Sequence, residues 1–81
     1  MKLEVHLFAG LFCNNEELDC FGETDFEMEV PENTTLNELV KLLNLELPYE
    51  LIYMINGKRC DKSYCLKDKD RVGIFPPIGG G

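Results

Sequence analysis

A lone stretch of helical period stands between segments of period two, and few folds accept that order. Asn33-Thr34-Thr35 announces the helix. Thr35-Leu36-Asn37-Glu38 fits a capping box, in which the threonine oxygen accepts an amide hydrogen bond and the glutamate reaches back. Leu36, Leu39, Val40 and Leu43 recur at helical spacing and form one apolar stripe. Asn44 is a stop signal, and by Pro48 the helix must be over.

The flanking segments alternate. From Lys2 to Phe8, Leu3, Val5 and Leu7 face one way and Lys2, Glu4 and His6 the other, which predicts a half-buried strand with His6 on its solvated face. From Asp25 to Val30, Phe26, Met28 and Val30 oppose three acids, and Pro31 ends the run because it has no amide proton for a ladder. Beyond the helix, Leu51 to Ile55 leads into Asn56-Gly57, whose residues tolerate the positive φ of a two-residue hairpin. Lys58 to Cys60 is the return strand, Asp61 to Leu66 a loop and Asp68-Lys69-Asp70 a charged turn. Arg71 to Phe75 is the last strand, with Val72 and Ile74 on one face and Phe75 on the other. Residues 9 to 24 lack a clean period. A short helix over Glu16 to Cys20, capped by Asn14 or Asn15, is the expectation there. The order β-β-α-β-β-β suits an α+β fold, a mixed sheet of about five strands with one main helix on one face.

At 81 residues the chain makes one domain, too small for a core plus a deep, walled catalytic pocket. Its formal charge of −7 argues against nucleic acid and anionic membranes, both of which need clustered Lys and Arg. It suits a partner with a basic docking surface, and equally simple solubility. No apolar run approaches a membrane span, and the first apolar stretch, which carries Glu4 and His6, is no signal peptide; the expected location is cytoplasmic. Cys13, Cys20, Cys60 and Cys65 are spaced C-x6-C and C-x4-C, unlike the C-x2-C pairs of a zinc ribbon. Reduced, buried or half-buried thiols are the expectation, and no metal is assigned. Two disulfides are permitted by the count, and closeness of the two pairs in space would favour zinc.

The sequence closes with Phe75-Pro76-Pro77-Ile78-Gly79-Gly80-Gly81. Two prolines in series stop a strand and favour a stiff, extended exit. Three glycines then pass where a Cβ would clash. The expected division is a domain over 1–75 and a flexible tail over 76–81. Such a tail suits entry into a narrow site on another protein; a frayed terminus is the plain alternative.

That ending resembles the Phe/Leu-Pro-Pro-Val-Ser/Ala-Gly-Gly terminus of the molybdopterin synthase small subunit, with Gly79 at the Ser/Ala position. Val5-His6-Leu7-Phe8-Ala9 is similar to that family's first strand, Ile55-Asn56-Gly57 to its Val-Asn-Gly hairpin, and Leu66-Lys67-Asp68-Lys69-Asp70-Arg71-Val72 to Leu-x-Asp-Gly-Asp-x-Val, with Lys69 replacing the turn glycine. Residues 10 to 24 depart from the family, which has a regular helix beginning Leu-Arg-Glu where this chain has Leu11-Phe12-Cys13. The related thiamine-biosynthesis sulfur carriers share Gly-Gly but commonly lack Pro-Pro.

The resemblance implies a ubiquitin-like β-grasp sulfur carrier. It binds no cofactor itself; ATP is used by a ubiquitin-activating-like adenylyltransferase, which adenylates the carboxyl of Gly81. Sulfur from a persulfide displaces AMP and leaves a thiocarboxylate for a pterin precursor in a large-subunit-like partner. On this reading Gly79 and Gly80 thread the partner's channel, and Pro76 and Pro77 hold the tail off the body. Phe8, Phe75 and Ile78 are candidates for an apolar docking patch, or equally half-buried core. The carrier is a non-catalytic subunit of a sulfurtransferase complex, since no His/Cys/Asp constellation supports an enzyme acting alone. A carrier for thiamine or another sulfur-containing metabolite, a ubiquitin-like protein modifier and an inert-tailed interaction domain are the competing readings.

Overall fold

The computed structural model describes residues 1–45, 47 and 50–77. Five strands and one helix follow in the order β1 (Lys2–Leu7), β2 (Asp25–Glu29), α1 (Leu36–Leu42), β3 (Ile52–Ile55), β4 (Lys58–Cys60) and β5 (Arg71–Phe75). They build one mixed sheet with strand order β2-β1-β5-β3-β4. β1 runs parallel to β5 at its centre, and the other neighbours are antiparallel. This is the β-grasp arrangement.

The alternation of each strand decides which side chains meet α1. Leu3, Val5 and Leu7 of β1, Val72 and Ile74 of β5, and Tyr53 and Ile55 of β3 are buried with Leu36, Leu39, Val40 and Leu43 of the helical stripe. The capping box forms as expected: the Glu38 amide donates to Thr35 Oγ1 at 3.2 Å, and the Thr35 amide donates to Glu38 Oε1 at 2.9 Å. Asn44 leaves the helix at φ 56°, where an asparagine is tolerated better than most residues. Asn56 and Gly57, at φ 51° and 83°, make the tight β3–β4 turn.

The short helix expected over Glu16–Cys20 does not form; the segment is a series of turns. The Leu18 amide reaches the Asn15 carbonyl at 3.1 Å and the Phe21 amide the Leu18 carbonyl at 3.1 Å, three-residue turns that do not run on into a helix. Asn15 still makes a cap-like bond: its Oδ1 accepts from the Glu17 amide at 3.0 Å. Its Nδ2 donates to the Leu42 carbonyl at 2.7 Å, and the Asn14 amide donates to the Leu43 carbonyl at 3.0 Å. The loop thereby satisfies carbonyls at the C-terminal end of α1 that the helix itself leaves open.

Candidate functional site

β5 carries the chain from the sheet centre to the tail. It is hydrogen-bonded to β1 on one side and β3 on the other, so the last strand residue, Phe75, is fixed in register opposite Ile52. Pro76 follows half-buried and Pro77 exposed. Ile78, Gly79, Gly80 and Gly81 lie outside the described residues, as does Pro48.

The root of the tail is aromatic. The Phe8 amide donates to the Ile74 carbonyl at 3.1 Å, which extends the β1–β5 pairing one step beyond the strand. Ala9 and Gly10, at φ 56° and 89°, then turn the chain away. Phe8 remains 42% exposed, with its ring stacked on half-buried Phe75. The rings lie over Gly73: a Cβ built there would stand 3.4 Å from Phe75 Cε1 and 3.5 Å from Phe8 Cε2, in ordinary contact with both. Phe8 and Phe75 therefore come together on the outer face of the sheet, away from the core under α1.

Beside the aromatic pair lies a charged group that the sequence does not announce. His6 Nε2 is 2.6 Å from Glu4 Oε2, and His6 Nδ1 is 2.7 Å from Asp25 Oδ1 across the β1–β2 register. Arg71 Nε of β5 approaches Glu4 Oε2 at 3.2 Å. The hydrogen bond to Glu4, and then that to Asp25, raises the His6 pKa above its ordinary value. The hydrogen bond from His6, opposed by desolvation and helped by Arg71, lowers the pKa of Glu4.

Asp70, expected in a charged turn, is instead buried. It accepts hydrogen bonds from Asn56 Nδ2 at 2.9 Å, Tyr64 Oη at 3.2 Å and the Lys67 amide at 2.8 Å. The Asn56 side chain also accepts from the Arg71 amide at 2.9 Å, so the β3–β4 turn and the entry to β5 are tied together. These bonds hold the start of the strand that presents the tail.

The cysteines separate into a pair and two individuals. Cys13 and Cys20 are buried with sulfurs 2.8 Å apart, while Cys60 is half-buried and Cys65 exposed. Among the described residues no group of three or more His, Cys, Asp or Glu side chains is placed to hold a metal ion. None of their helices is long and apolar enough to cross a membrane.

A five-stranded mixed sheet of this order, crossed by one helix and leaving from its central strand into a Pro-Pro segment, defines a ubiquitin-like β-grasp protein. The chain belongs to the ThiS family, whose model matches residues 12–81, and so to the ubiquitin-like sulfur carriers that its terminal motif resembles. None of the curated proteins matches it. Its fold is similar to that of SAMP1 from Haloferax volcanii, with a TM-score of 0.67 at 21% identity over the whole of both chains. It is similar to a putative molybdopterin converting factor, subunit 1, from Pyrococcus furiosus, with a TM-score of 0.66 at 25% identity over 95% of this chain and 98% of that one. A chain in the complex of subunits 1 and 2 of the molybdopterin-converting factor from Helicobacter pylori matches over the full length of both, with a TM-score of 0.63 at 25% identity.

Proposed function

We propose that this protein is a cytoplasmic sulfur carrier for molybdopterin (molybdenum or tungsten cofactor) synthesis, with the Gly81 carboxylate as its reacting group. The family match that runs through the glycine segment to residue 81 supports a sulfur carrier, and the Pro76-Pro77 pair, which thiamine carriers commonly lack, favours the molybdopterin branch. An ionised carboxylate is a poor acyl donor. A ubiquitin-activating-like partner therefore joins it to AMP from ATP, releasing pyrophosphate. The terminal sulfur of a persulfide attacks the acyl carbon and AMP leaves. A thiol then reduces the acyl disulfide and frees the thiocarboxylate. Held on the carrier, that sulfur reaches its acceptor without the full entropic cost of a bimolecular encounter.

In this scheme Gly79 and Gly80 pass through the partner's channel, Pro76 and Pro77 stiffen the exit, and Phe8, Phe75 and Ile78 meet a large-subunit-like partner. The complex of subunits 1 and 2 from Helicobacter pylori supports a partner of that kind. The second reading, a carrier for thiamine or another sulfur-containing metabolite, shares every step up to the acceptor. The test is the intact mass of the chain after incubation with its activating enzyme, ATP and a persulfide source, beside a Gly81-deleted control. Replacement of one oxygen by sulfur in the full chain alone supports a carrier. An unchanged mass with an active enzyme overturns it, and isopeptide adducts on target lysines would make the chain a modifier instead.

A further inference from the structure

The contact between Cys13 and Cys20 takes no part in the chemistry proposed for the tail. Cys13 is fully buried and Cys20 9% exposed, in a loop that has neither helix nor strand. Backbone bonds bring the two together without help from the sulfurs. The Gly22 amide donates to the Cys13 carbonyl at 2.7 Å, the Cys13 amide to the Glu23 carbonyl at 3.0 Å, and the Glu23 amide to the Cys20 carbonyl at 2.8 Å. The chain doubles back on itself, and sulfurs seven positions apart in sequence end 2.8 Å apart, with no room for anything between them. A metal would need further ligands, and two thiols are half of a tetrahedral set; no third is placed nearby among the described residues.

We propose that Cys13 and Cys20 are an intramolecular disulfide site that staples the loop between β1 and β2. The oxidant is a small-molecule or protein disulfide. One cysteine thiolate attacks an oxidant sulfur and releases the first reduced thiol. The second cysteine thiolate attacks the mixed disulfide at the protein sulfur and releases the second. Two protein thiols and one disulfide become one protein disulfide and two thiols, and the two cysteine protons pass to the released thiolates. In the folded dithiol form, burial and the hydrogen bond with Cys13 push the Cys20 thiol up to about 12, so thiolate is scarce. With Cys13 fully buried and Cys20 9% exposed, an oxidant reaches the sulfurs while the loop is open, during folding, and the same burial shields the bond afterwards.

The full chain carrying Cys60→Ser and Cys65→Ser tests this, because those side chains are half-buried and exposed and leave the loop untouched. It is refolded in a mixture of reduced and oxidised glutathione, then unfolded in the presence of an alkylating reagent. The expected product has lost two hydrogens and takes up no alkyl group, and its melting temperature lies about 10 °C above that of the same chain under reductant. The natural sequence treated alike yields a peptide linking Cys13 to Cys20. Two alkylated cysteines, a glutathione adduct or a covalent dimer would overturn the site. A bridge whose reduction leaves the melting temperature unchanged would overturn the staple.

Discussion

The ring of Phe8 lies flat against the ring of Phe75, with centroids 4.4 Å apart and planes within 4° of parallel. One ring hangs from the end of β1 and the other from the end of β5, so the parallel pairing of those strands sets their separation. Such a pair contributes about 0.5–1.5 kcal/mol beyond the area it buries. With Phe8 this exposed, docking against a partner has more to gain from it than the core does.

Phe8→Ala is therefore expected to cost the fold only about 1 kcal/mol and to weaken binding to the large-subunit-like partner by about tenfold or more. Calorimetric titration and thermal unfolding of the same variant separate the two effects. Unchanged affinity with a stability loss of about 3 kcal/mol or more would return Phe8 to the core.

Lys69 occupies a left-handed conformation, φ 69°, at the turn before β5, where the family motif has glycine. The Cβ of an L-residue is strained there, by about 1–2 kcal/mol. Glycine removes that strain and gives back part of the gain through a freer unfolded chain. Lys69→Gly should stabilise the protein by about 0.5 kcal/mol, read as a higher urea midpoint at unchanged slope. The Lys69 amide keeps its 2.7 Å bond to the Lys2 carbonyl, so no contact is lost to confuse the sign.

What the sequence made legible was local. The capping box at Thr35, the alternation of β1 and β2 and the Asn56-Gly57 turn each carry their reason within a few residues, and each stands as expected. The loop after β1 does not, because Asn14 and Asn15 find their partners at Leu42 and Leu43, about thirty positions away. His6 was readable as a residue of the solvated face. Its pairing with Asp25 depends on the register of two strands, which no single segment encodes. The aromatic root of the tail was half legible: Phe8 and Phe75 stood out as residues, and their stacking required β1 and β5 to be neighbours.

Asp70 looked like one acid of a charged turn, and its burial follows from partners at Asn56, Tyr64 and the Lys67 amide. Asp70→Ala would leave those donors without their acceptor, at a cost of about 2–3 kcal/mol. The expected result is a melting temperature lower by about 10 °C or more. Tyr64→Phe removes a single bond and should cost about 1 kcal/mol. Equal effects from the two variants would mean that Asp70 is not the centre of the group.

A histidine that meets a carboxylate with each ring nitrogen is best satisfied as the doubly protonated imidazolium, which donates to both. Glu4 and Asp25 thus raise the His6 pKa above 6.5 in the folded state. The folded chain then holds the proton more tightly than the unfolded one. The stabilisation is fully present below about 6.5, the unfolded value, and is lost as pH rises through the raised folded value. Glu4 runs the other way: its lowered pKa gives stability that is present above 4.5 and lost as pH falls through the lowered value. The Arg71 guanidinium, 3.2 Å from Glu4 Oε2, adds to that lowering. Denaturant unfolding of the natural chain should show stability falling from about pH 6.5 upward, and His6→Gln, which cannot titrate, should remove that part of the fall. Differencing the two curves cancels the groups common to both chains. Parallel curves would mean that the two carboxylates do not hold the proton on His6.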